Sequence, residues 1–249
     1  MVFKRSFNLY IVAGQSNAHG GYGNSLGYPA DENGVDSQIP FFYKSPGYGS
    51  SDGEWISMSP QKGMFDTFHF GPEVSFSRRL RLSGRRPAIF KYTKPSSSLS
   101  ADWKSPGDGG LYDDLCNELS NAISVFGRKM GKCVPSGMVW IQGESDAEND
   151  GFASEYQCRQ TAIVHHIRKF LKAPALPVVL SVNEDHPWVR ERPEVAAAQK
   201  EIASQIRNVD FCSMLDLDKM EDSHCTPTGL VDHGDRLFDI FENRFRGRV

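Results

Sequence analysis

The chain has 249 residues and a formal net charge of -3, with 39% hydrophobic and 24% charged residues. That balance is ordinary for a globular protein, leans toward one domain over 1–249, and gives no bulk electrostatic reason to expect nucleic acid as a partner. Five cysteines (Cys116, Cys133, Cys158, Cys212, Cys225) are odd in number, widely spaced and lack a CxxC pair, which argues against a disulfide framework and a zinc site. Lys4-Arg5 precede an apolar run of about six residues, shorter than a signal-peptide core, and no run approaches the roughly twenty apolar residues of a membrane span. As given, the chain reads as cytoplasmic, although one trimmed of a leader would read the same.

The first strand, Asn8 to Ala13, ends abruptly in Gly14-Gln15-Ser16-Asn17. Residues 20 to 70 then break the rhythm. They are rich in Gly, Pro, Ser and aromatics (Tyr22, Tyr28, Phe41, Phe42, Tyr43, Tyr48, Trp55) and show no sustained period. Their aromatic content argues against plain disorder, so the segment reads as an ordered excursion, either beside a site or packed on the body of the domain. Pro72 to Leu82 reads as a helix with proline in its first turn and Gly84 after its end, its arginines Arg78, Arg79 and Arg81 forming a solvated face. Ala88 to Tyr92 is the next strand, and Leu111 to Met130 repeats apolar residues at helical spacing. The second half continues with strand Gly137–Ile141, helix Ser154–Lys172, strand Pro177–Val182, helix Glu194–Arg207, strand Val209–Leu215 and a last helix from about Val231 to Arg246.

Five strands each followed by a helix imply a three-layer α/β/α, flavodoxin-like, doubly wound parallel five-stranded sheet. Ligands of such sheets lie beyond the carboxyl ends of the strands, so chemistry belongs to the segments after each strand. Those segments hold Ser16, then Lys94-Pro95-Ser96-Ser97-Ser98, Gln142-Gly143-Glu144-Ser145-Asp146, Asn183-Glu184-Asp185-His186, and Glu221-Asp222-Ser223-His224. A serine, amide donors and an acid-histidine pair are the parts of acyl transfer. The hydroxyl needs an imidazole to take its proton, the imidazole needs an acceptor to hold its tautomer, and the developing oxyanion needs fixed N–H donors.

The serine follows the first strand while acid and histidine are near neighbours at the far end, unlike the Gly-x-Ser-x-Gly elbow. Four blocks, "IVAGQSNAHG", "FGPEVSFSRRL", "WIQGESDA" and "EDSHCTPTGLVDHGDRLF", resemble in order those of the SGNH (GDSL-like) hydrolases, in the branch of carbohydrate esterase family six and the sialate O-acetylesterase-like domains. The resemblance spans nearly the whole chain and implies the SGNH hydrolase fold and a serine O-acetylesterase acting on a carbohydrate, with no cofactor or metal. It further implies nucleophile Ser16, base His224, and oxyanion donors from the Ser16 backbone, the second block and the Gln142 side chain. This chain reads Lys94-Pro95-Ser96-Ser97 where the family usually has glycines, which puts Ser96 in the donor's place. It also has Glu221 where the family usually has Asp, with Asp222 one residue nearer the base. Spacing favours Glu221, residue type favours Asp222, and a backbone carbonyl is the third possibility.

Around these, Gln15, Asn17, Trp103 and Glu144 are candidates for substrate binding. Asn17 and His19 either shape the acyl pocket or cap a turn, Trp103 is either a stacking platform or core, and Glu144 and Asp146 brace the third loop. His186 is either a pocket residue or a surface histidine, and His165-His166 lacks further ligands nearby in sequence. The expected partner is an acetylated carbohydrate or other small ester, with no nucleic acid and no membrane. The competing readings are a lipase, thioesterase or arylesterase on the same scaffold, or a non-catalytic carbohydrate-binding module. Gly14, Gly20, Gly21 and Gly23 do not make a dinucleotide fingerprint.

Overall fold

The computed structural model describes residues 6–20, 27–62 and 68–246. The chain runs β1 (Ser6–Gly14), α1 (Ser16–His19), β2 (Pro40–Ser45), β3 (Gly49–Ser50), β4 (Ile56–Ser57), α2 (Glu73–Leu82), β5 (Pro87–Thr93), α3 (Leu111–Lys129), β6 (Lys132–Ile141) and α4 (Asp150–Phe170). It continues through β7 (Val178–Ser181), α5 (Pro187–Glu191), α6 (Glu194–Gln205), β8 (Val209–Phe211), β9 (Lys219–Met220), β10 (His224–Cys225) and α7 (Pro227–Phe245).

Strands β5, β1, β6, β7 and β8 lie side by side and parallel, in the order expected of a flavodoxin-like sheet. The excursion adds to it: β2 pairs in parallel with β5 as a sixth strand, and β3 and β4 pair antiparallel with β2. Residues 21–26 and 63–67 of that excursion, Tyr22 among them, lie outside the described residues. Alternation along the strands fills two cores. Leu9, Ile11 and Ala13 join Met138 and Trp140 under α3, α4 and α6, while Tyr10 and Val12 join Val139 and Ile141 under α2 and α7. A buried face on each side makes the strands read as continuous apolar runs.

The last helix begins four residues earlier than its apolar period predicts, because the Thr226 side chain caps it from Gly229 N–H and Pro227 sits in its first turn. Among the described residues no helix is long and apolar enough to cross a membrane. β1 lies between β5 and β6, whose crossovers run to opposite sides. That is the switch point where a doubly wound sheet opens its crevice, and Ser16 is the second residue past it.

Candidate active site

Gly14 ends β1 at φ +138, and a Cβ there would lie 1.9 Å from the Ile141 carbonyl oxygen, so only glycine lets the chain leave the sheet here. The next residues turn into the short α1, whose first N–H groups have no helical acceptor. Ser16 is half-buried at its start and lines a cleft of about 370 Å³ together with His224, which arrives from the opposite end of the sequence on the β9–β10 hairpin. Two larger hollows, of about 750 Å³ beside Trp55 and about 1220 Å³ beside Arg168, are lined by no serine-histidine combination of that kind beyond Ser37, Ser57 and His165 taken singly.

The loops are bound to one another from within. Gln15 lines the cleft, and its Oε1 accepts from Gly143 N–H and Ser145 N–H, each at 3.3 Å. Asp146 accepts from Leu99 N–H at 2.7 Å and Ser100 N–H at 3.2 Å, joining the third loop to the second. Burial pushes its carboxyl up to about 6, against the pull of those donors. Ser96 stands at the cleft with φ 52, a left-handed conformation that explains why glycine is the natural occupant. Its N–H meets no acceptor in the protein among the described residues. Ser96→Gly is expected to raise stability by about 0.5–1 kcal/mol and Ser96→Val to lower it by about 1–2 kcal/mol, read from urea melts.

Three residues expected at the substrate belong elsewhere. Trp103 is fully buried, packs edge-on to Trp140 at 4.7 Å, and donates its indole N–H to Ser97 Oγ at 2.8 Å, so it presents no face to a sugar. Gln142 is also fully buried, and its Nε2 donates to Ser97 O at 3.1 Å and Asp146 Oδ2 at 2.5 Å. With those hydrogens committed, it braces two loops and cannot serve an oxyanion. Asn17 is 2% exposed, with Nδ2 on Ser223 O at 3.1 Å and on Glu144 Oε1 at 3.4 Å, while Oδ1 accepts from Cys225 N–H at 3.1 Å.

Asn17 is thus half of a clamp on the residues that flank His224. Asn183, at the end of β7, supplies the other half, donating to Asp222 O at 2.7 Å and Ser223 O at 3.0 Å. Both asparagines bear on Glu144 Oε1, which takes the Asn183 N–H at 3.1 Å. The clamp holds a turn in which Glu221 and Asp222 are consecutively left-handed, at φ 58 and 49. Asn183→Ala is expected to lower kcat about 10- to 100-fold with KM little changed. Asn183→Asp, which sets a carboxylate against two carbonyls, should be worse, as steady-state kinetics will show.

The candidate acids separate as well. Asp222 is largely exposed and its carboxylate pairs with Arg190 at 3.1 Å, so it is turned to a cation and not to the imidazole. Burial lowers the His224 pKa from its ordinary 6.5, and the charge that opposes this is Glu221. Burial therefore favours the neutral form of the His224 imidazole, and Glu221 is the nearby carboxylate whose charge opposes that shift. His186 lines the cleft too and caps α5 by accepting from Trp188 N–H at 3.3 Å. Burial first, then the charges of His224 and Arg190, lower its pKa. Trp188, 38% exposed at the cleft 5.1 Å from the His186 ring, is the aromatic surface that Trp103 is not. The sequence signal for it was the His186-Pro187-Trp188 stretch in the segment that follows β7.

A serine and a neutral imidazole in one cleft at the switch point, beside uncommitted backbone N–H groups, define an ester hydrolase class of site. The sequence from 6 to 243 matches the family model described as carbohydrate esterase, sialic acid-specific acetylesterase, and the chain belongs to that family. It is an esterase, and O-acetyl ester hydrolysis is the activity that family carries. No protein in a search of curated sequences matches it. Among solved structures it is similar to a protein from Arabidopsis thaliana (18% identity, 96% of this chain and 98% of that one, TM-score 0.72) and to NanS (16%, 99% of each, 0.69). It is also similar to a carbohydrate acetylesterase from Xanthomonas citri (18%, 97% of this chain and 57% of that one, 0.60). At these identities the likenesses show the fold, which is that of the SGNH-type esterases.

Proposed function

We propose that the chain removes acetyl groups from the hydroxyls of a carbohydrate through an acyl-enzyme on Ser16. His224 takes the Ser16 proton as Oγ bonds to the acetyl carbonyl carbon. The carbonyl π pair moves onto oxygen, which the N–H groups of Ser16 and Ser96 receive, with Gln15 Nε2 as a further donor at the cleft wall. Collapse of the adduct breaks the bond to the sugar oxygen, which leaves with the proton from His224. Water then attacks the acetyl-enzyme with His224 again as base, releasing acetate and restoring the hydroxyl.

The reading is carried by one observation: Ser16 and His224, from opposite ends of the chain, line the same cleft. Serine hydroxyls, carboxylates and Gln15 dominate that cleft, with Ala101, Phe152 and Trp188 as its apolar members. Those hydroxyls, carboxylates and the Gln15 amide suit a polyhydroxylated substrate, as does the family description. The test is acetate release from acetylated xylan, acetylated sialic acid and an aryl acetate, together with labelling by an organophosphonate. Acetate from at least one substrate and a covalent adduct on Ser16 are expected. Tight carbohydrate binding with neither acetate nor adduct would instead identify a binding module, and preference for long-chain esters a lipase.

A further inference from the structure

We propose that the hollow at the amino ends of β7 and β8 is a second binding site, and that it takes a small organic phosphate, a phosphoryl dianion carried on an apolar body. The inference stands apart from the esterase reading, because the catalytic cleft lies at the carboxyl ends of the same sheet. The hollow measures about 1220 Å³, and its wall contains Arg168, Lys169, Lys172 and Arg207 with no aspartate or glutamate among its twelve residues. Concave sites of this size receive small molecules.

The positive charge there is unspent. On the same two helices other cations are paired, Arg159 with Glu155 at 2.6 Å on α4 and Lys200 of α6 with Glu184 at 2.8 Å. Arg168, Lys169, Lys172 and Arg207 make no ion pair among the described residues. Glu201, one turn before Gln205 on α6, has its Oε1 engaged by the Gln205 amide at 2.7 Å.

Arg168 supplies an independent sign, because it offers a fixed donor as well as a charge. It is 8% exposed, and its Nε and Nη2 donate to the carbonyls of Leu176, Arg207 and Asn208 at 2.9 to 3.1 Å. Nη1 makes no hydrogen bond among the described residues and is not sealed from solvent. Burial lowers the Arg168 pKa with no carboxylate to oppose the shift. A guanidinium locked by three backbone carbonyls, with hydrogens left over at a hollow it lines, is a preformed donor to an anion.

The charge count selects among anions. Four cations without a counter-charge suit a phosphate monoester, which carries close to two negative charges at neutral pH, better than a single carboxylate. The apolar part of the wall, Pro174, Ile202 and Ile206, gives the body of such a molecule a surface to rest on.

The test titrates phenyl phosphate into the full chain by calorimetry, with benzoate, inorganic phosphate and phenol as references. At an ionic strength of about 0.02 M phenyl phosphate should bind at one site with a Kd below about 1 mM, at least about tenfold tighter than benzoate or phenol. It should also bind more tightly than inorganic phosphate, which lacks the apolar body. Raising the ionic strength to about 0.5 M should weaken it severalfold. Lys169→Gln with Lys172→Gln changes two exposed side chains that make no hydrogen bond among the described residues, and should weaken binding at least about tenfold. Arg207→Gln, on the facing wall, should weaken it about threefold and decides the matter if the double variant does not fold. No saturation by about 10 mM, an affinity indifferent to salt, or equal affinity in the lysine variant would overturn the proposal. Binding of hexaglutamate or of anionic phospholipid vesicles without binding of phenyl phosphate would assign the hollow to a protein or a membrane, and would overturn it too.

Discussion

Replacing Ser16 by alanine is expected to lower kcat for acetate release by on the order of a thousandfold to a millionfold and to abolish phosphonate labelling. The reason is that no other hydroxyl in the cleft stands at the end of β1 beside helix-start N–H groups. Water attacking directly would keep only the oxyanion donors and the binding contribution. His224→Ala should cost a similar factor, and the double variant little more than either single one, because nucleophile and base act as one unit. Circular dichroism should show both variants folded, since among the described residues the Ser16 side chain makes no hydrogen bond and the His224 hairpin is held by Asn17 and Asn183. The acid limit of kcat/KM should fall at an apparent pKa below 6.5, because burial of the base outweighs the Glu221 charge. Retention of more than about a tenth of the activity by Ser16→Ala would remove serine from the reaction.

The order of strands and the residues at their ends were legible because both depend on local pattern. A strand buried on both faces is a run of apolar residues, and a loop at the switch point must begin where glycine lets the chain turn. The β2 strand was not legible. "PFFYKS" is apolar and short, but its partner β5 lies more than forty residues on, and the Gly- and Pro-rich flanks read as loop. The same limit applies to side chains whose type fits two roles. Gln142 and Trp103 carry donors suited to a substrate, and only the tertiary structure shows those hydrogens spent on Ser97 and Asp146. Glu221 and Asp222 were equivalent in sequence until Arg190, from a helix the pattern does not announce, was seen to take Asp222. Local chemistry therefore identifies which residues can react, whereas long-range packing decides which of them remain free to do so.

Acidification to about pH 4.5 should cost this protein several kcal/mol of stability, enough to unfold a domain of ordinary margin. Three histidines are buried and held neutral. His19 is pushed down to about 2 by burial, then by the charges of His69, Lys91 and Lys94; His69 to about 3 by burial and Lys91; and His233 to about 3 by burial, Arg236 and Lys219. His19 and His69 stack at 4.1 Å, so a proton on either ring meets the other as well as the buried Lys91–Glu73 pair. Below the ordinary 6.5 the unfolded chain takes up protons that the folded chain refuses, so each of the three costs about 1.4 kcal/mol per pH unit until its folded pKa is reached. Asp146 works in the opposite direction: raised from 3.8 to about 6, it accepts its proton in the folded chain first and returns about 2 kcal/mol at about pH 4.5. The loss from the three histidines should appear as a fall in the urea midpoint between pH 7 and pH 4.5. His233→Gln, which can keep a bond to Ser181 Oγ, should make that fall shallower by about one proton's worth, 1.4 kcal/mol per pH unit. A midpoint constant across this range would mean that the stacked pair and His233 titrate as they would in water, and that the polar layer behind the nucleophile is open to solvent.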